Sequence, residues 1–214
     1  MLLLPLVALS PALAAPLNPW GAHVGDATVT LTPFVFVDGA PGVYPYVYGQ
    51  VGLTPRFELL AGVGGTLAAE SGFDHAELMP RWFLAESTAV ALGATWNPGV
   101  VALNPQLQGV YELGWLTLTA NLGADVVLPL GGGAAGLEAW VMVAPEWYFT
   151  EASSIFLELD ARRSFDTFDV SAELIPGVST AFADTHFVAV GVGLPLWPAA
   201  LDATYVGAWY SVNL

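Results

Sequence analysis

Cysteine and lysine are both absent from the 214 residues, and the only strong cations are four arginines set against nineteen acids. Without cysteine there is no disulfide framework and no thiolate metal site. The formal charge of -15 argues against nucleic acid or an anionic membrane surface as a general partner, because both require clustered Lys and Arg. Charge of either sign is scarce, at 11% of residues against about 25% in ordinary soluble domains. Long apolar runs are missing too. Beyond the N-terminal stretch, Gly, Pro, Asn or an acid interrupts every candidate before the roughly 18 residues that a spanning helix needs.

What remains is apolar without being helical. The chain is 55% hydrophobic, with a mean hydropathy of +0.61. That balance suits a membrane, and closed barrels of strands are the other way to cross one. No Ser/Gly-rich linker or charge block divides the chain, so it reads as one domain. Residues 1–14 read as a secretory signal, with an apolar stretch from Leu2 to Leu9 and small residues before a cut after Ala14. A positively charged start is missing, and an apolar anchor that is never removed is the competing reading. Residues 15–214 form the expected barrel domain.

The clearest strand signal lies between residues 137 and 162. Odd positions hold Leu137, Ala139, Val141, Val143, Pro145, Trp147 and Phe149, then Ile155, Leu157, Leu159 and Ala161. Even positions hold Glu138, Trp140, Met142, Glu146 and Tyr148, then Ser154, Phe156, Glu158, Asp160 and Arg162. A period of two means strand, and the polar turn between makes it a hairpin. The same alternation recurs along the chain, most regularly from Leu116 to Leu128, and gives about twelve segments of roughly nine to thirteen residues, the length of a tilted span. The fold expected is an all-β, antiparallel up-and-down transmembrane barrel of about 12 strands. Prolines 33, 45, 80, 105, 145 and 176 all fall on the apolar, lipid-facing side, which predicts bulges or strand ends there.

The final stretch alternates Val206, Ala208, Tyr210, Val212 and Leu214 with Tyr205, Gly207, Trp209 and Ser211. It resembles the C-terminal strand of bacterial outer-membrane β-barrel proteins, although that family usually ends on an aromatic residue and this chain ends on Leu214. The resemblance is architectural and porin-like, covers the expected mature chain, and implies an outer-membrane location, outer-membrane lipid around the barrel and the barrel-assembly machinery as a folding partner. Trp82, Trp96, Trp115, Trp147 and Phe149 lie near segment ends, where interfacial aromatic girdles sit. A soluble secreted β-sandwich is the alternative.

On this register the inner face collects Glu58, Glu77, Glu112, Asp125, Glu138, Glu146, Glu158, Asp160, Asp169 and Glu173 against Arg56, Arg81 and Arg162. Hairpin connections place Asp125 beside Glu138, Glu158 beside Glu173 and Arg162 beside Asp169. Adjacent acids repel unless water, a cation or a shared proton intervenes, which suggests a cation-attracting channel or an internal cation site. Hydrogen bonding of the same acids by Arg, Tyr and Ser in a filled interior is the competing arrangement. Inner aromatics are Tyr44, Tyr46, Tyr48, Trp140, Tyr148 and Phe156. The tyrosines of residues 44–48 face Gly62 and Gly64, and Tyr205 lies across from Gly191, as rings covering cross-strand glycines.

About eight strands are filled by side chains and sixteen or more leave a water channel, so twelve is intermediate. The function expected is a passive, narrow channel for small solutes or cations; a non-conducting structural or interaction barrel is the alternative, and an outer-membrane hydrolase is a weaker one. His23, His75 and His186 are far apart in sequence, and His75 with Glu77 has no nucleophile beside it. No catalytic residue, metal or cofactor is therefore expected. The glycines at 131–133 lack the Lys and helix of a phosphate loop. Oligomeric state is left open by the sequence.

Overall fold

A computed structural model describes residues 25–36, 43–67, 72–183, 185–197 and 204–214. The proposed signal segment, residues 1–14, and His23 lie outside the described residues. Twelve strands follow one another: β1 (Ala27–Phe36), β2 (Val43–Thr54), β3 (Phe57–Thr66), β4 (Gly72–Ala85), β5 (Thr88–Asn97), β6 (Val100–Leu113), β7 (Leu116–Pro129), β8 (Gly136–Tyr148), β9 (Ser153–Ser164), β10 (Val170–Phe182), β11 (His186–Trp197) and β12 (Tyr205–Asn213). Each pairs antiparallel with its sequence neighbours, and β1 pairs with β12 to close the ring. The expected up-and-down barrel of twelve strands is the fold observed.

Connections of two to four residues join β2–β3, β4–β5, β6–β7, β8–β9 and β10–β11 at the end that also carries Gly25 and Leu214. We call this the turn end. The opposite loop end carries connections of two to seven residues.

Alternation decides which side of the wall each residue takes. On the outside stand exposed leucines such as Leu92 and Leu122, whereas Met142 inside is 0% exposed. Outward aromatics mark both rims: Phe57 packs on Trp82 toward the turn end with ring centroids 5.0 Å apart, and Phe73 on Trp96 toward the loop end at 5.3 Å. An apolar exterior with aromatic rims and a polar, partly charged interior inverts the soluble pattern, as a barrel in lipid requires.

The six prolines correct one expectation. They stand within strands, and no shift of register occurs at any of them; the shifts fall at Gly52/Thr54, Gly64/Gly65, Phe83/Ala85 and Ala172/Glu173 instead. Pro80 shows what replaces a bulge. On its β3 side it pairs normally with Leu59, while on its β5 side the ladder passes from Leu78↔Ala94 directly to Arg81↔Ala91. The same gap occurs beside Pro33, Pro105, Pro145 and Pro176, on β12, β7, β9 and β11 respectively. A strand residue sends its N–H to one neighbour only, so a residue without that donor interrupts one ladder and leaves the other intact.

Candidate functional site: the barrel interior

Register divides the interior into three levels between the turn end and the loop end. Nearest the turn end, β2, β3, β4 and β6 bring together Gln50, Glu58, Arg81 and Gln108. Arg81 forms an ion pair with Glu58. Gln50 donates to Glu58 at 2.7 Å, Arg81 Nη1 donates to Gln108 Oε1 at 3.1 Å, and Gln108 donates to Gln106 at 2.9 Å. Arg81, Phe83, Gln108, Val110 and Asn121 line a cavity of about 20 Å³, room for about one water. On the facing wall Glu146 accepts from Ser154 and from Ser179, the latter at 3.1 Å, and the two hydroxyls are 2.6 Å apart. Glu112 and Tyr148 stand exposed at the turn-end rim, and Arg56 lies exposed in the β2–β3 turn.

The middle level is an apolar belt. Tyr48, Leu60, Met79 and Ala91 form one buried cluster with Tyr46 above them. Phe34, Ile175, Ala189, Tyr205 and Trp209 form another, with Phe156 packed against it. Trp209 is 1% exposed, and its ring meets Phe34 and Phe156 edge-on, each at 6.2 Å. Phe156 and Trp209 come from β9 and β12, so that contact reaches past two intervening strands. Glycine makes the reach possible. A Cβ on Gly177 would lie 2.1 Å from the Phe156 ring, and one on Gly207 would lie 3.0 Å from Phe34.

The loop-end level is the most acidic. Asp125 is its hub: it accepts from Asn104 at 2.5 Å, from Trp140 Nε1 at 3.2 Å and from Arg162 at 3.3 Å. Thr95 fixes Asn104 from the other side at 3.1 Å, and the Arg162 guanidinium lies over the Trp140 ring at 6.0 Å. Tyr46 donates to Glu77 at 3.4 Å and stacks on His75 at 5.0 Å. Tyr205 donates to Glu173 at 3.3 Å. Phe36 and Tyr44 meet edge-on at 5.2 Å near the loop-end rim. Among the described residues, arginine–carboxylate ion pairs within the interior join Arg81 to Glu58 and Arg162 to Asp125. Glu77, Glu138, Glu146, Glu158, Asp160 and Glu173 make no such pair.

The register brings Asp125 opposite Glu138, as the hairpin length predicts. Elsewhere it differs from expectation. Glu173 faces Asp160 rather than Glu158, which faces Ile175; Arg162 faces Ser171, and Asp169 lies in the loop beyond β9. The connection is longer than a tight turn, and each added loop residue moves the opposing partner along. Tyr46 and Tyr48 face Gly64 and Gly62 as expected, but Tyr205 faces Gly193 rather than Gly191. Leu60, Ile175 and the belt-closing role of Trp209 escaped the sequence reading. A single inward apolar residue on a polar face was the available signal.

Among the described residues, His75 and His186 do not come together in a catalytic group. His75 is buried between Tyr46 and Gly64, and His186 lies on the outer surface, where Tyr210 is 2.7 Å away and Phe182 stacks on the ring. Among the described residues, no group of three or more His, Cys, Asp or Glu is placed to hold a metal ion.

Known proteins resemble this architecture closely and this sequence hardly at all. No family model matches the chain, and no curated protein matches it. Solved structures do. An outer membrane channel of the COG4313 group from Pseudomonas putida F1 superposes with a TM-score of 0.65 at 12% identity, over 93% of this chain and 99% of that one. This chain has the fold of a bacterial outer-membrane β-barrel. The NanC porin gives 0.69 at 5% identity, over 87% of this chain and 98% of its own, and the KdgM porin 0.62 at 11%, over 87% and 99%. At such identity the likeness concerns the outer-membrane barrel and not the lining residues, whose chemistry each sequence sets for itself.

Proposed function

We propose that this outer-membrane barrel is closed to bulk solutes in its resting form and does no chemistry on a substrate. The observation that carries the reading is the apolar belt: Leu60, Met79, Met142, Ile175 and Trp209 are each at most 2% exposed at mid-height. An open water channel would leave such inward side chains wetted. Its duty is then structural, or that of a surface in the outer membrane that partners meet. Export through residues 1–14 and insertion by the barrel-assembly machinery through the β12 strand accompany this reading.

A narrow cation-preferring channel is the second reading, favoured by the six interior carboxylates without an arginine partner and by the outer-membrane channel and porins that share the fold. A surplus of fixed negative charge would draw cations and repel anions. On this reading the belt is a constriction that must part before anything passes.

Planar bilayers separate the two. The refolded wild-type protein is expected to give no steady conductance step, while Trp209→Ala, which removes the ring bridging β9 and β12, is expected to give cation-selective steps. Steady wild-type steps with cation selectivity would replace the closed barrel with the channel. Anion selectivity in either protein would defeat both readings of the acidic interior.

A further inference from the structure

Arg162 and Arg163 are consecutive, so the period of the strand sends them to opposite sides of the wall. Arg162 is inside, bound to Asp125 and stacked on Trp140. Arg163 points outward near the loop end, is exposed, and forms no ion pair within the described residues. Of the remaining arginines, Arg81 is inside and Arg56 lies in a turn at the opposite end. In a chain with four strong cations and no lysine, one is thus spent on the lipid-facing surface, where an arginine is tolerated near the interface and costly at the midplane.

The outer wall around Arg163 is apolar, and the adjoining loop that carries Asp166 and Asp169 is built. Its cross-strand neighbours are Ala139 and Val170, and its guanidinium lies over the Phe165 ring at 5.6 Å. Val170 across the strand pair is exposed, as are Phe165 and Phe168 in the adjoining loop. Phe168 is held at φ 58, a region that a bulky L-residue enters only when its surroundings impose it. The β9–β10 loop supplies that constraint. Asp166 accepts from Leu137 N at 2.9 Å, Ser164 N donates to Asp169 O at 2.9 Å, and the Ser164 hydroxyl accepts from Asp166 N at 3.4 Å. The end of β9 and the loop after it present a guanidinium without an ion-pair partner and two phenyl rings at one edge of the apolar outer surface.

We propose that Arg163, Phe165 and Phe168 form a binding site for an anionic, phosphate-bearing lipid of the leaflet at the loop end. The guanidinium takes two phosphate oxygens through paired N–H donors, and the rings with Val170 cover the first part of its acyl chains. The proposal rests on the outer-membrane reading, but it is independent of whether the barrel conducts. Because Asp166 and Asp169 flank the site, removing the one cation leaves only negative charge toward the headgroup.

Native mass spectrometry of the refolded protein in octyl glucoside tests this, with the micelles doped by dodecyl phosphate or by uncharged dodecyl maltoside. The wild type is expected to retain dodecyl phosphate over dodecyl maltoside. Arg163→Gln should lose at least fivefold of that retention with unchanged heat-modifiable gel mobility, and Arg163→Lys should keep part of it. Equal retention by Arg163→Gln, or equal retention of the uncharged amphiphile by the wild type, overturns the site. Full displacement by inorganic phosphate at the same concentration would show that the rings take no part and would overturn it as a lipid site. Should Arg163→Gln fail to refold, Phe168→Ser in the same assay decides, with a loss expected and no change refuting. Loss of the barrel reading itself would show as absent heat-modifiable mobility in the wild type.

Discussion

The two halves of the interior wall close the same space with different chemistry. From β2 to β8 cross-linked polar groups stand above and below a small apolar cluster, with Glu58 held by Arg81 and Gln50, and Asp125 by Asn104, Trp140 and, from the adjoining β9, Arg162. From β9 round to β1 it is largely rings and aliphatic groups, with Phe34, Ile175, Tyr205 and Trp209 packed together and Phe156 against them. A buried charge needs each of its partners, because desolvation is repaid only when the set is complete. A ring needs only a matching space, which glycine provides on the opposite strand. The first wall should therefore fail sharply when one member is removed, and the second should fail in proportion to the misfit.

Unfolding by urea in lipid vesicles can break or sharpen that contrast. Arg81→Ala should have the largest effect, about 3–5 kcal/mol lost, since Glu58 stays buried without its cation; Arg81→Met with Glu58→Gln together should recover a good part of it. Asn104→Ala removes a donor to a charged carboxylate on the same wall and should lose about 1.5–3 kcal/mol. On the aromatic wall, Gly177→Ala puts a methyl where the Phe156 ring lies and should cost about 1–3 kcal/mol, relieved by Phe156→Leu. Ser211→Ala breaks the 2.7 Å hydroxyl contact with Thr30 and should cost only about 0.5–1.5 kcal/mol. If Arg81→Ala proves as mild as Ser211→Ala, the polar wall is wetter than its burial indicates, and the distinction between the walls fails.

Much of this architecture is legible in the residues themselves. Alternation from Leu116 to Leu128, and again through β8 and β9, identifies strand, face and hairpin because a period of two has one structural meaning. The opposition of Asp125 and Glu138 follows by counting alone and is the register observed. The β9–β10 partners are not, because a loop of several residues sets its register through contacts such as Asp166 with Leu137. The prolines mislead for a related reason. Their missing donor is visible in the sequence, but which of two neighbouring strands loses the bond depends on the pleat of the finished sheet.

Sequence alone thus determines the all-β pattern, the apolar exterior and the polar inner face on which Arg162 stands, since each is a local consequence of strand geometry. Only the closed tertiary structure decides that Trp209 meets Phe156 from three strands away, that the two interior arginines, Arg81 and Arg162, find Glu58 and Asp125, and that an apolar belt crosses the middle. Those contacts depend on the curvature and register of a ring joined at β1 and β12, and no stretch of the chain carries that information locally.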